Sequence, residues 1–333
     1  MTYGSQRRLF VLAAIAFAAA LGAFSRDCRA ATIVRFTTVM GNFDLKLFDT
    51  KMPRSTANFL TYVNTNKYNG TVVHRNSDTN DGSGLRDFVI QGGGFSFTDP
   101  VAPATVMSYA NVATNAPILD EPGGGVPGPS NVRGTIAMAK SGPNTVTSQW
   151  FINQGNNSFL DDPTRSDGGF AAFGIVLGNG MAVVDAIGDL PLAPDFGFSI
   201  SSPFNDLPLR NFSGNSLSQV RVANTVTINS VRVLNLSAGD YNRDGIVNTA
   251  DYAVWKADFG STTKRDADGN DDGVVNAADY VIYRNTFGQT TVPGSGSGDL
   301  SVGAVPEPAS LGLLVVAAGF LAASARTRTR RTV

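Results

Sequence analysis

Two acidic segments of the chain, residues 240–251 and 268–279, carry oxygen-bearing side chains at matching positions. In both segments, positions 1, 3, 5, 9 and 12 are aspartate or asparagine, and position 6 is glycine. Calcium is a hard cation that binds through several oxygens, and a twelve-residue loop with this order of residues supplies them. Because the pattern occurs twice, we predict two calcium-binding loops.

The predicted ligands of each loop are these side chains together with the main-chain carbonyl at position 7, which is the order of an EF-hand-type loop. The first loop contributes Asp240, Asn242, Asp244, Ile246 (carbonyl), Asn248 and Asp251, and the second contributes Asp268, Asn270, Asp272, Val274 (carbonyl), Asn276 and Asp279. A short helical pattern follows each loop, from Tyr252 and from Tyr280, and no clear helix precedes either. We expect two Ca²⁺ ions to supply much of the stability of so small a unit; the alternative is a pair of Asx turns without metal.

The composition excludes several other kinds of chemistry. The only cysteine is Cys28 and the only histidine is His74, so the chain has no internal disulfide and no Cys/His zinc site. A Ser-His-Asp site would have to use His74, which we interpret instead as a packed, hydrogen-bonded residue. The formal net charge of −1 gives no electrostatic reason to expect a nucleic-acid partner.

Residues 1–30 are typical of an export signal. Arg7 and Arg8 precede an apolar run from Leu9 to Phe24, and small residues follow near Cys28. The alternative is a lipoprotein signal in which Cys28 is lipidated. We therefore expect an exported protein of the bacterial periplasm or cell surface.

The C-terminal residues 305–333 have three parts in a fixed order. Pro306-Glu307-Pro308 precedes an apolar stretch from Ala309 to Ala325, and four arginines follow it. An apolar stretch of this length can span a bilayer with its arginines on the cytoplasmic side; the alternative is a C-terminal core helix. The order resembles the PEP-CTERM sorting signal, which implies a membrane anchor and an exosortase-type protease as a partner.

The elements that must position any other chemistry lie in residues 32–235. Alternating residues from Thr32 to Phe48 with Gly41-Asn42 between them predict a hairpin. Helical spacing predicts helices over 54–66, with Ser55 as a possible cap, and over 180–190. Six further short strands are predicted at 71–74, 88–91, 134–139, 149–153, 171–176 and 225–233. We expect a separate calcium module at 239–289 and a flexible linker at 290–304.

The strands carry an ordered set of short motifs. They are His74-Arg75, Phe88-Val89-Ile90-Gln91-Gly92-Gly93-Gly94-Phe95, Gly134-Thr135-Ile136-Ala137-Met138-Ala139, Ser148-Gln149-Trp150-Phe151-Ile152-Asn153, Phe159-Leu160-Asp161 and Phe173-Gly174. From about residue 33 to 234 this order resembles the cyclophilin family of peptidyl-prolyl cis-trans isomerases. The resemblance implies a mainly β fold, a closed eight-stranded antiparallel β-barrel capped by two helices, beside the small α-helical two-loop calcium module.

The resemblance also implies a reaction and the residues that carry it. The substrates would be proline-containing polypeptides, and no cofactor is needed because no bond is broken. Arg75 would donate to the prolyl nitrogen of the twisted amide, and Gln91 would hold the peptide or the arginine. The implied substrate-binding residues are Phe88, Val89, Ala139, Lys140, Gln149, Phe151, Phe159, Leu160 and Phe170.

Four features depart from the family pattern. A polar insertion from Asn76 to Asp87 separates Arg75 from Phe88, and it is either a surface loop or a displacement of the arginine. Phe159 stands where many eukaryotic members have tryptophan, which implies weak cyclosporin binding. Phe170 stands where many have histidine, and Lys140 replaces a frequent asparagine.

The acidic pair, with a short helix after each loop, resembles a type I dockerin, whose family partner is a cohesin domain. Thr249-Ala250 and Ala277-Ala278 do not identify a particular partner, and a structural or adhesive calcium module is equally consistent with them. The functional prediction is therefore an exported isomerase acting on X-Pro bonds of exported or surface proteins. The alternative is a catalytically weak proline-peptide binding module in a calcium-dependent surface assembly.

Overall fold

The computed structural model describes residues 31–77, 87–121 and 128–291. These residues contain short strands, four α-helices and several turns of 3₁₀-helix. The strands are β1 (Ile33–Thr38), β2 (Gly41–Leu47), β3 (Thr71–Val73), β4 (Arg75–Ser77), β5 (Val89–Gly92), β6 (Phe95–Thr98), β7 (Ser108–Asn111), β8 (Thr135–Met138), β9 (Trp150–Asn153), β10 (Ala172–Val176) and β11 (Val226–Leu234). The helices are α1 (Pro53–Asn64), α2 (Gly180–Gly188), α3 (Thr249–Asp258) and α4 (Ala277–Thr286).

The strands form one antiparallel sheet in the order β4-β5-β9-β8-β10-β2-β1-β11-β3-β6-β7. The prediction of a mainly β protein is confirmed, and each of the eight predicted strands has a counterpart among the eleven observed. The sequence patterns missed β4, β6 and β7. These strands are three or four residues long, as are several of the strands that were predicted.

The predicted hairpin of β1 and β2 is present, but its turn lies earlier than expected. Thr38 pairs with Gly41 across the hairpin, so Val39 and Met40 form the turn and Gly41 already belongs to β2. The hydroxyl of Thr38 accepts a hydrogen bond from the Met40 amide at 3.0 Å, and Gly41 has φ of +128°. A threonine side chain and a glycine backbone therefore make the turn that Gly41-Asn42 was predicted to make.

Helix α1 begins at Pro53, which suits the first helical position because proline has no amide hydrogen to satisfy. Ser55 does not cap this helix, so that prediction was wrong. The carboxylate of Glu121 instead accepts hydrogen bonds from the amides of Arg54 (2.8 Å) and Ser55 (2.6 Å). A negative charge at a helix N-terminus is stabilising, and here it comes from a residue remote in the chain.

Three hydrophobic clusters lie among the described residues before the calcium module, and the smallest, of Val89, Ala137, Phe151 and Leu160, borders the site described below. The main one packs against one face of the sheet and includes Phe36, Phe59, Trp150 and Phe173. The second was not predicted: it joins β6 to the segment between residues 193 and 220 through aromatic contacts such as Phe95 with Phe204, 4.9 Å between ring centroids. This second cluster holds the segment that carries Asp206.

Within the described ranges, no helix is both long enough and apolar enough to cross a membrane. The predicted signal and tail, including Leu9 to Phe24 and Ala309 to Ala325, lie outside those ranges, as do residues 292–304 of the predicted linker. The first two linker residues are described: Thr290 forms a bridge with Ile246, and the Thr291 amide donates to the Gly245 carbonyl at 2.8 Å. Export and anchoring therefore stay predictions.

Candidate functional site

The register of three neighbouring strands places polar and apolar site residues in one row. Arg75 of β4 lies opposite Gln91 of β5, and Gln91 lies opposite Phe151 of β9. On the other face of the same strands, Ile90 and Ile152 are fully buried in the main core. Since successive side chains of a strand point to opposite faces, the row of Arg75, Gln91 and Phe151 lies on the face of the sheet away from the main core.

An open cavity of about 320 Å³ covers this row. Its apolar lining comes from Phe88, Val89, Ala139, Phe151, Leu160 and Phe170. Val89, Phe151 and Leu160 are each at least nine-tenths buried, and the rings of Phe151 and Phe170 meet edge to face at 5.5 Å. The cavity therefore offers a preformed apolar wall of a size suited to a small ring, with the guanidinium groups of Arg75 and Arg165 at its border.

The guanidinium of Arg75 is held by three side chains. Its Nε lies 3.3 Å from Oδ2 of Asp206, Nη1 lies 3.4 Å from Oε1 of Gln91, and Nη2 lies 2.9 Å from the hydroxyl of Ser77. Gln91 in turn donates to Oε1 of Gln149 at 2.8 Å. The arginine side chain remains about two-fifths exposed, so it can still reach a ligand in the cavity.

Sequence reasoning missed four polar residues of this site. Asp206 and Ser77 contact Arg75, while Arg165 and Asp167 line the cavity and form an ion pair with each other at 2.8 Å. Ser77 follows Arg75 by two residues on one strand, so recognising β4 in the sequence would have predicted that both side chains lie on the same face. Asp206 had no such signal, because its contact with Arg75 spans 131 residues.

The departures from the family pattern have local explanations. Phe159 does not line the cavity: it is about half exposed and stacks on Phe88 with ring centroids 5.8 Å apart. The ammonium of Lys140 is bound to Asp120 at 2.6 Å and lies 5.3 Å from the centre of the Phe170 ring. The lysine therefore brings a paired charge to the site, and Phe170 supplies apolar surface.

The insertion between Arg75 and Phe88 has its two ends described and its middle, residues 78–86, outside the described residues. Asn76 and Ser77 belong to β4, and Asn76 donates to the Gly188 carbonyl at 2.6 Å. Arg75 and Phe88, on either side of the insertion, line the same cavity. The arginine is thus not displaced from the apolar wall.

Glycines after β5 allow Trp150 and Gln149 to approach the backbone. A Cβ atom at Gly92 would lie 2.6 Å from the Trp150 ring, and one at Gly94 would lie 2.8 Å from the Gln149 amide. Gly93 between them has φ of +79°, which favours glycine. The Gly92-Gly93-Gly94 run is therefore a tight backbone bend, as predicted, and it holds Gln149 where it can contact Gln91.

The two acidic loops fold alike. Position 4 of each has a left-handed backbone, Arg243 with φ of +62° and Asp271 with φ of +57°, and the glycine at position 6 has φ of +93° or +98°. Asn248 and Asn276 at position 9 cap α3 and α4 by accepting from the amides of Ala250 and Ala278, both at 2.7 Å. The helices begin at Thr249 and Ala277, three residues earlier than predicted, so the last loop positions are already helical.

The predicted ligand side chains of each loop turn toward one another. Asn242 lies 2.8 Å from Asp244, and in the second loop Asn270 lies 2.9 Å from Asp272, which also accepts from Asn276 at 3.2 Å. Across the described residues, no three carboxylate, imidazole or thiol groups form a metal cluster by themselves. Amide and main-chain oxygens are therefore part of any site, and the donor set of aspartate, asparagine and carbonyl oxygens suits calcium.

The loop carboxylates are crowded and partly removed from water. Burial raises the pKa of Asp240, and the neighbouring charges of Asp251 and Asp244 raise it further. Burial likewise raises the pKa of Asp279, with a contribution from Asp268. A divalent cation between these groups would offset both the burial and the mutual repulsion, which is a second reason that these residues fit calcium.

The family model for the cyclophilin-type peptidyl-prolyl cis-trans isomerases matches residues 33–201. The chain therefore belongs to this family of enzymes. The model for the dockerin type I domain matches residues 238–288, so a dockerin domain follows the isomerase domain.

Named relatives agree with this assignment. The chain is 41% identical over 168 residues to a peptidyl-prolyl cis-trans isomerase of Acinetobacter baylyi, which is half of this chain and 77% of that protein. It is 41% identical over 180 residues to peptidyl-prolyl cis-trans isomerase A of Dickeya dadantii (53% and 83%). It is 37% identical over 158 residues to peptidyl-prolyl cis-trans isomerase B of Escherichia coli (46% and 83%).

His74 makes the stability of the fold depend on pH. Burial lowers the pKa of His74 to about 4, whereas a histidine in the unfolded chain titrates near 6.5. The unfolded chain therefore takes up a proton that the folded chain does not. We expect the stabilising contribution to be complete above pH 6.5 and to be lost as the pH falls toward 4, by about 3 kcal/mol at most.

Urea unfolding of the wild type and of His74→Asn at pH 7.0 and pH 4.5 measures this effect. The free energy of unfolding should fall more steeply in the wild type, because aspartates and glutamates contribute equally to both proteins. Equal losses in the two proteins would contradict a neutral, buried His74.

Proposed function

We propose that the chain accelerates the cis-trans isomerisation of X-Pro bonds in exported or surface proteins, with Arg75 as the catalytic residue. The observation that carries this proposal is that the Arg75 guanidinium borders the same cavity as Phe151 and Leu160. An X-Pro amide is held planar by resonance, and its rotation has a barrier of about 18–20 kcal/mol. A catalyst must therefore bind the twisted amide better than either planar isomer.

The geometry suggests how the residues divide this task. The apolar wall of Phe151, Leu160 and Val89 receives the proline ring and keeps water from it. When the amide twists, the prolyl nitrogen regains its lone pair and becomes a hydrogen-bond acceptor, which the fixed positive charge of Arg75 can meet. Gln91 and Gln149, bonded to each other, would hold the peptide backbone. The twisted form gains a hydrogen bond that the planar forms cannot make.

Asp206 is, in this proposal, a positioning residue for Arg75. It accepts from Nε, the nitrogen nearest the chain, while Gln91 and Ser77 contact Nη1 and Nη2. Its own carboxylate is held by Asn205 at 2.6 Å, and its carbonyl accepts from the Asn76 amide at 2.8 Å. Because the guanidinium is fixed before the substrate binds, less conformational entropy of the Arg75 side chain is lost on reaching the transition state.

We further infer that the sheet closes into the eight-stranded barrel. The support is that β3 pairs with β11 while β4 pairs with β5, and only His74 separates β3 from β4. The continuous segment 71–77 thus joins the two sides of a ring that runs through β11, β1, β2, β10, β8, β9 and β5. Strands β6 and β7 then form a hairpin outside the ring.

The dockerin domain is proposed to bind two Ca²⁺ ions through the ligands named above and to dock a cohesin-like partner. Oxygen-only donor sets and crowded carboxylates support the calcium assignment. Bound calcium would supply positive charge that stabilises both loops. We also propose export through residues 1–30, anchoring through residues 305–333 and recognition of that tail by an exosortase-type protease, on the sequence patterns alone.

Replacing the catalytic arginine tests the proposed reaction. Arg75→Ala should lower kcat/KM for a proline-containing peptide roughly a hundredfold or more, since one preorganised donor to the transition state is lost. Arg75→Lys should recover little, because an ammonium cannot reproduce the guanidinium fork. Relaxation of the cis isomer after a solvent jump measures the rates. Wild-type and Arg75→Ala rates that both equal the uncatalysed rate would favour the proline-peptide binder.

The role of Asp206 is tested by a graded series of variants. Asp206→Ala should lower kcat about two- to fivefold at unchanged thermal stability, as expected for a partly exposed ion pair. Asp206→Asn should keep more activity, because its amide oxygen still accepts from Nε. Asp189→Ala removes an exposed carboxylate without contact to Arg75 and serves as the control. A loss in Asp189→Ala equal to that in Asp206→Ala would remove the case for positioning.

Calcium binding can be followed at Trp255. Its Nε1 donates to the carbonyl of Asn276, at position 9 of the second loop, at 2.8 Å. Calcium that orders this loop should change the Trp255 emission in the full chain, and Asp272→Ala together with Asp279→Ala should abolish that part of the response. An emission unchanged up to millimolar calcium would count against the site.

A further inference from the structure

The outer face of β2 is buried although its residues are charged. Phe43, Leu45 and Leu47 point into the main core, so Asp44 and Lys46 point outward. A strand of this alternation normally leaves its polar face in water. Here Asp44 is 8% exposed and Lys46 is 2% exposed. Residues of the dockerin domain contact both of them.

Three ion pairs join β2 to the dockerin domain, one at Asp44 and two at Lys46. The carboxylate of Asp44 forms an ion pair with Arg243 at 3.0 Å. It also pairs with Arg35, its cross-strand neighbour in β1, at 2.7 Å. Lys46 lies 3.4 Å from Asp271 and 3.1 Å from Asp268. We call Asp44, Lys46, Arg243 and Asp271 the clamp.

The clamp uses equivalent positions of the two calcium loops. Arg243 and Asp271 are both residue 4 of their loop, and both have the left-handed backbone that non-glycine residues rarely adopt. Residues 3 and 5 on either side are predicted calcium ligands. The loop conformation that gathers the ligands is therefore the same conformation that presents Arg243 and Asp271 to β2.

Lys46 also reaches a predicted ligand directly. Its ammonium contacts Oδ2 and the main-chain carbonyl of Asp268, which is position 1 of the second loop. The other carboxylate oxygen, Oδ1, is buried and has no hydrogen-bond partner among the described residues. The side of Asp268 that faces the isomerase domain is occupied, and one oxygen is left for a cation in the loop.

We propose that the clamp couples calcium binding in the dockerin domain to the stability of the isomerase domain, with Lys46 as a positioning residue of the second loop. Calcium folds the loops, the folded loops present Arg243 and Asp271, and these two residues complete the clamp by covering Asp44 and Lys46. Coupling is reciprocal, so the docked isomerase domain also raises the calcium affinity of the loops. This inference goes beyond the proposed isomerase activity and rests only on the proposed calcium binding.

The ammonium of Lys46 does not exclude a cation from the second loop. Two positive charges, Lys46 and Arg265, face four carboxylates, those of Asp268, Asp271, Asp272 and Asp279, so the loop stays negative. Without Lys46, the buried Asp271 would lose its ion pair, and Asp268 would be left with the more distant guanidinium of Arg265 at 3.9 Å. An unpaired buried charge is strongly unfavourable. Removal of Lys46 therefore weakens docking more than it helps calcium.

Hydrogen exchange of the full chain, with and without saturating calcium, tests the coupling. In the wild type, calcium should slow exchange in the loops and, at least about tenfold, in β1 and β2 as well. In Lys46→Met it should slow exchange in the loops while β1 and β2 respond much less. Lys256→Met, which changes an exposed lysine of α3 in the same way, should behave like the wild type. Asp271→Asn removes one clamp charge with little change of shape and serves if Lys46→Met fails to fold.

The outcomes separate the two proposals. Loops that respond to calcium while β1 and β2 do not would overturn the coupling and leave calcium binding intact. The same holds if Lys46→Met and Asp271→Asn respond as the wild type does. Loops that ignore calcium would overturn both the calcium assignment and the coupling. None of these results bears on the isomerase activity, which the Arg75 variants test.

Discussion

The pairing register of β4, β5 and β9 is the constraint on which the isomerase site depends. Arg75, Gln91 and Phe151 lie in one row because Ile90 and Ile152, their neighbours along β5 and β9, are buried on the opposite face. A slip of one residue in the pairing would expose the isoleucines to water and bury the row of Arg75, Gln91 and Phe151 in the core. The hydrophobic core thus determines where the guanidinium lies, and the site needs no separate device to keep its strands aligned.

Positive charges in this protein are held by partners before they act. Lys140 is bound to Asp120, Arg165 to Asp167, and Arg75 to Asp206. Lys140 and Nη2 of Arg165 contact carboxylates, whereas Nη1 and Nη2 of Arg75 contact the neutral side chains of Gln91 and Ser77. A reaction that breaks no bond depends on the positions of the charged group and the apolar surface around the twisted amide. The contacts of Arg75 and the packing of the cavity wall fix both positions.

The sequence predicted the elements and sites that local patterns determine. Alternation located the two strands of the hairpin, short segments between glycines located six more, and oxygen spacing located two loops whose side chains converge. All three patterns depend on residues close together in the chain. Contacts between distant residues could not be predicted this way. Glu121 caps α1 across more than 60 residues, and Asp206 reaches Arg75 across 131. Asp44 and Lys46 belong to an alternating pattern that indicates a solvent-exposed face, and only docking of the dockerin domain makes them buried.

The opposite charges at position 4 of the two loops give a duplicated module a single orientation. Arg243 of the first loop contacts Asp44 and Asp271 of the second contacts Lys46, so each loop faces the β2 residue of opposite charge. If the two loops exchanged places, Arg243 would face Lys46 and Asp271 would face Asp44, which are two repulsive pairs at buried positions of β2. A difference at one position of the repeated loop is thus enough to decide which of the two loops lies beside the lysine and which beside the aspartate.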